Sequence, residues 1–142
     1  MQITRQTEYA VRTLMELAKA EQGKLIPTKT ISLNQSIPEV FLKKTIQILA
    51  NAGLIVTQRG TQGGVRLAIP ASEITIADVF TAVEGRLAIN VCLNEIYPCP
   101  NKPECRVSGV LQRAQDALVA ELSRESIADL VGQLEGTFIR GN

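Results

Sequence analysis

The sequence predicts a mainly α protein: a compact set of helices closed by one small β-hairpin, then a long helix toward the C-terminus. Three observations carry this reading. Apolar residues recur at three- and four-residue spacing in several stretches. A single pair of short β-branched runs flanks the glycine-rich segment 60–64. A proline-rich loop then separates the hairpin half from a long helical stripe. With 142 residues, 45% apolar and 20% charged, the chain suits one folded domain or one domain with an appendage.

The first helix is expected from Thr4 to about Ala20, where Tyr9, Val11, Leu14, Met15, Leu17 and Ala18 share a face and Gly23 follows as a stop. Thr28 to Gln35 reads as a short second helix. Ser36-Ile37-Pro38 interrupts it, and Pro38 opens a third helix, because a first helical position does not need its missing N–H. Val40, Phe41, Ile46, Leu49 and Ala50 supply the apolar face of that helix, and Asn51-Ala52-Gly53 ends it. Two strands follow, at Leu54 to Val56 and at Val65 to Ile69. Short helix, turn, longer helix and hairpin in this order form a winged helix-turn-helix pattern.

Past Pro70, the Thr75/Asp78 spacing of a capping box opens a helix that Gly85 closes. From Val107, the residues Val110, Leu111, Ala114, Ala117, Leu118 and Leu122 form a narrow apolar stripe suited to packing on a partner helix, so this is read as a dimerisation helix. Ser126 and Asp129 repeat the capping spacing and begin a last short helix. The expected organisation is a winged helix-turn-helix DNA-binding domain over 1–70, a connecting helix and cysteine loop over 71–105, and the dimerisation and C-terminal helices over 106–142.

Charge is divided unevenly. Residues 1–70 hold nine Lys or Arg against four acids, a net of +5, whereas 71–142 carry a net of −4. A basic half joined to an acidic half fits a nucleic-acid-binding module attached to a sensing or assembly module. Few aromatic residues and no Trp leave little for a single-strand stacking platform. No apolar run approaches the roughly 18 residues of a membrane span, and charges occupy the start where a signal peptide needs an apolar core. A cytoplasmic protein is expected. The chain has no histidine base, no glycine-rich nucleotide loop and no evident carboxylate pair, so an enzyme is not expected.

Within the winged motif, Lys43 and Lys44 lie near the start of the third helix, where such helices enter the major groove, and Ser36 and Thr45 are placed to meet phosphates or base edges. Arg59 stands at the hairpin tip, where Gly60, Gly63 and Gly64 let backbone approach a phosphate and let the arginine reach a narrow minor groove. The bland readings are a solvated helix face for the lysines and a tight hairpin for the glycines. The expected partner is double-stranded DNA.

All three cysteines, Cys92, Cys99 and Cys105, fall within fourteen residues at C-x6-C-x5-C spacing. Pro98, Pro100 and Pro103 keep them in a loop. Three readings compete: an iron-sulfur cluster, a structural zinc, or free redox thiols. Zinc favours C-x2-C pairs, which are missing, whereas loops of six and five residues suit the corners of a larger cluster. Without histidine, a fourth ligand must be a carboxylate, another oxygen group or exogenous.

Taken together, the segments 41–68 (FLKKTIQILANAGLIVTQRGTQGGVRLA) and 74–85 (ITIADVFTAVEG), the three cysteines and SIADL at 126–130 resemble the Rrf2 family of bacterial transcription regulators. The resemblance covers nearly the whole chain. It implies a homodimer joined by a long antiparallel helix, reading a pseudo-palindromic promoter, with an iron-sulfur cluster in the cysteine loop of many members. Lys43 stands where the family often has an acidic side chain, so the family's base preferences do not transfer. Ser108 replaces the histidine that some relatives use as a ligand three residues after the third cysteine, which excludes a histidine-ligated site of that type. In the nitric-oxide-sensing branch an acidic residue of the first helix reaches the partner's cluster, and Glu8 occupies that place. The resemblance thus implies a 4Fe-4S cluster on Cys92, Cys99, Cys105 and Glu8 of the other subunit, with a 2Fe-2S form also compatible. The alternative is a cofactor-free regulator of the same fold that senses through thiols or a protein partner.

Overall fold

The computed structural model describes residues 3–89, 93 and 106–132. Helix α1 runs Arg5–Lys19, and the Thr4 hydroxyl accepts from the Thr7 N–H at its start. Its buried side chains are Thr7, Tyr9, Ala10, Thr13, Leu14 and Leu17; of the anticipated face Tyr9, Leu14 and Leu17 are buried, whereas Val11, Met15 and Ala18 pack at its margin, only partly covered. Helix α2 spans Thr28–Gln35 and stops at Ser36, which takes the left-handed conformation at φ 54°. This reversal directs both the Ser36 and the Ile37 N–H to the Ser32 carbonyl, satisfying the helix end. Helix α3 spans Glu39–Asn51. Pro38 precedes it as a cap, not as its first residue, because its ψ of 136° is extended.

Strands β1 (Ile55–Gln58) and β2 (Gly64–Leu67) pair antiparallel, with Ile55 opposite Leu67 and Gln58 opposite Gly64. The expected first strand began one residue earlier and ended at Val56, and the expected second began one residue later and reached Ile69. Pairing instead follows the hairpin into polar Thr57 and Gln58, since only one face of a wing needs apolar cover. At the other end Ala68 still donates to Leu54 at 3.0 Å, and Pro70 then leads into a short 3-10 turn at Ala71–Glu73. Ile26 adds a third line of pairing outside β2: it exchanges two hydrogen bonds with Val65, at 2.8 and 2.9 Å.

Helix α4, Ile76–Glu84, opens with the anticipated reciprocal capping box between Thr75 and Asp78 and closes at Gly85, φ 85°. Helix α5 spans Arg106–Leu122, and the short helix α6 begins at Ile127 and is described through residue 132. Ser126 and Asp129 cap α6 reciprocally at 3.0 and 3.1 Å. The Ile127 N–H donates to the Ile74 carbonyl at 2.7 Å, and its side chain is fully buried.

One hydrophobic core joins these parts. Leu14, Ile31, Ile37, Leu42, Leu49 and Val65 of the winged motif share it with Ile74, Val79 and Ile127. Residues from the chain's far end thus complete the core of its first half. α5 is the contrast: Ser108 is its one buried residue, and Val107 and Val110 remain 64% and 53% exposed.

Candidate nucleic-acid interface

α3 buries Leu42, Thr45, Ile46 and Leu49, so its 3.6-residue period turns Lys43 and Lys44 outward, where both are exposed. Ser36 is also exposed, on the reversed turn just ahead of the helix. Thr45 differs. It is fully buried, its hydroxyl donates to the Phe41 carbonyl at 2.9 Å and it accepts from Gln6 at 2.5 Å. The expectation that Thr45 meets DNA is therefore corrected: in this fold it fastens α3 to the start of α1. Sequence spacing put it beside two lysines, but one further residue rotates a helical side chain by about 100°.

Between the α2 N-terminus, α3 and the wing lies an open cleft of about 720 Å³, lined by Thr28, Lys29, Lys43, Arg59 and wing glycines among others. Three cations thus face one concavity beside a helix N-terminus, a combination suited to a phosphate backbone. Lys29 was not singled out from the sequence. A signal was present: Lys29 sits in the first turn of α2, which has no acid, where the helix dipole disfavours a cation. A charge kept against that preference points to a use outside the helix.

The wing glycines have an internal reason as well. Gly60 holds φ 114°. A Cβ on Gly63 would lie 2.1 Å from the Gln58 carbonyl oxygen, and one on Gly64 would lie 2.5 Å from that of Ile26. Both positions bring two backbone segments together more closely than any side chain permits. This shapes the turn that carries Arg59, which is exposed.

Cys92, Cys99 and Cys105, expected from the sequence to hold a cluster, lie outside the described residues. Among the described residues, no group of three or more His, Cys, Asp or Glu side chains stands together to hold a metal ion. Glu8 is exposed on α1 and pairs with Arg12 at 3.4 Å. Arg12 has other attachments: it donates to the Gln35 carbonyl and lies 5.9 Å from the Tyr9 ring centroid. The Thr4 and Thr7 hydroxyls both donate to the Glu84 carboxylate, linking the α1 end that bears Glu8 to the end of α4. Farther on, the Ile89 N–H donates to Gln115 Oε1 of α5 at 3.0 Å. Cys105 directly precedes Arg106, the first residue of α5. The segment before the cysteine loop is thus tied to the helix that follows it. Ser108, in the first turn of that helix, is buried. Among the described residues no helix is long and apolar enough to cross a membrane.

The model of the Rrf2 family, described as an iron-dependent transcriptional regulator, matches residues 3–133. Protein aau3 of Rhizobium meliloti (strain 1021) is 42% identical over 133 residues, covering 92% of this chain and 85% of that protein. The HTH-type transcriptional regulator NsrR of Shouchella clausii (strain KSM-K16) is 36% identical over 132 residues, covering 92% and 89%. Among solved structures, CymR, the global cysteine regulator of B. subtilis, superimposes with a TM-score of 0.75 at 25% identity, covering 94% of this chain and 98% of that one. The winged helix, its cationic cleft and these matches together make the chain a DNA-binding transcription regulator, not an enzyme, and it belongs to the Rrf2 family.

Proposed function

We propose that the protein is a homodimeric regulator that reads a pseudo-palindromic promoter and whose iron-sulfur cluster senses redox, nitric oxide or iron-sulfur status. The observation that carries the DNA half is the cleft shared by Lys29, Lys43 and Arg59 beside the outward lysine face of α3. Ser36 and Lys44 flank that face, and the backbone at Gly60, Gly63 and Gly64 sets the approach of the wing.

The dimer reading rests on α5. Its exposed Val107 and Val110 begin the apolar stripe that runs on through Leu111 and Ala114, on a helix with one buried residue, a surface suited to the same helix of a second copy. Two recognition helices then meet half-sites about one helical turn apart, roughly 34–36 Å.

The donor set suits a cluster: three thiolates and a carboxylate, with no histidine in the chain. Cys92, Cys99 and Cys105 would hold it together with Glu8 of the other subunit. An exposed i,i+4 pair such as Glu8–Arg12 contributes only a few tenths of a kcal/mol, so giving it up for a metal is a small cost. A bound cluster would supply a centre whose charge and ligation respond to oxidants and nitric oxide. The chain's own part is transmission: Cys105 adjoins α5, and Ile89 is anchored to Gln115 on the same helix. Rearranging the loop therefore acts on the element proposed to set the spacing of the recognition helices.

Anaerobic purification tests this reading through iron and sulfide content, the visible spectrum, and footprinting of one promoter with and without cluster. Glu8→Ala is expected to shorten cluster lifetime or change the spectrum; an unchanged spectrum, iron content and lifetime would remove Glu8 from the ligand set. The fold likeness to CymR, a cysteine regulator, favours one second reading, a cofactor-free sensor working through thiols or a protein partner. Stoichiometric absence of iron and sulfide after anaerobic purification would select it.

A further inference from the structure

Val40 is 74% exposed, the most exposed large hydrophobic side chain among the described residues. It is the second residue of α3. Val40, Lys43, Lys44 and Gln47 follow i, i+3, i+4, i+7 spacing and all four are exposed, so they form one stripe on the side of α3 opposite Leu42, Ile46 and Leu49. A valine in the first turn of a lysine- and glutamine-bearing stripe contributes nothing to the core. Its neighbour Phe41 differs, because its ring stacks on Tyr9 at 6.2 Å.

The first turn of a recognition helix is the part that reaches base edges. The major groove there presents one apolar feature, the C5-methyl group of thymine, which small apolar side chains contact. Lysine at one neighbouring position contacts guanine O6 and N7 or a phosphate, and glutamine suits adenine; valine can do neither, having no donor or acceptor.

We propose that Val40 is a specificity-determining residue that packs on a pyrimidine C5-methyl group in the major groove. This rests on the reading of α3 as the recognition helix. It assigns a thymine to a fixed position of each half-site, next to the bases or phosphates that Lys43 and Lys44 meet. The contact covers about one methyl group, and burying one changes affinity by about 4-fold.

The experiment uses the full-length protein and duplexes enriched by it from a random pool. In the best duplex each thymine is replaced in turn by deoxyuridine, which lacks only the methyl group. One position per half-site is expected to lose about 4-fold in affinity on this change. Cytosine there should bind more tightly when 5-methylated. Val40→Ser, at so exposed a site, should fold normally and bind the thymine and uracil duplexes equally. Insensitivity to uracil at every position overturns the proposal, as does a Val40→Ser protein that still discriminates fully. Failure to bind any duplex at low salt overturns the DNA-recognition reading and this proposal with it.

Discussion

Removing Lys29 tests whether the cleft between α2, α3 and the wing follows a DNA backbone. Lys29, Lys43 and Arg59 all line it. If each neutralises one phosphate, each contributes about 0.9 to the slope of log affinity against log salt, and the three together about 2.7 per bound subunit. Raising salt from about 50 to about 200 mM should then weaken wild-type binding by about 40-fold per subunit through these contacts alone. Lys29→Ala should reduce the slope by about 0.9 per subunit, so that the variant loses about 3.5-fold less than wild type over the same range. Fluorescence anisotropy with one labelled duplex over a salt series measures this directly. Lys19→Ala is the control, being an exposed cation in the last turn of α1 and not among the cleft residues. An unchanged slope in Lys29→Ala, or an equal drop in Lys19→Ala, would refute the assignment of the cleft to phosphate binding.

Three further outcomes follow from packing. Ile127→Ala removes a fully buried side chain of the shared core, and a loss of about 2–5 kcal/mol is expected in urea unfolding; a change under about 0.5 kcal/mol would mean that α6 is not part of the cooperative unit. Val110→Glu places a charge in the exposed stripe of α5 and should convert a dimer to monomers in sedimentation velocity, with secondary structure by circular dichroism unchanged. Gly63→Ala forces a Cβ toward the Gln58 carbonyl, so it should lower DNA affinity through the displaced wing tip and destabilise the fold by about 1–3 kcal/mol. Normal DNA affinity in that variant would separate wing shape from binding.

Much of the scaffold was legible in the chain because it rests on local chemistry. The capping pairs Thr75/Asp78 and Ser126/Asp129, the stop at Gly85 and the limits of α2 all follow from interactions within a few residues, and all recur in the fold. The strand ends were less legible, since β1 takes in Thr57 and Gln58 through pairing with β2, a partner whose register short apolar runs do not specify. Among candidate DNA contacts, Lys43, Lys44, Ser36 and Arg59 are exposed as their positions suggested. Thr45 was misplaced because its orientation depends on which side of α3 the core occupies. The cysteine loop was read from its thiols and prolines, all of which lie outside the described residues.

By itself the sequence determined the number and order of the helices and, to within a residue or two, their limits, which half of the chain is basic and which chemistry its three thiols can support, because capping, periodicity and ligand type are written residue by residue. Only the tertiary structure decided that Lys29 joins Lys43 and Arg59, that Val40 stands on the outer stripe of α3, and that Ile127 returns to lock onto Ile74. These are consequences of how one shared core orients several helices at once. No local spacing contains that orientation; it is set when apolar faces distant in the chain bury one another.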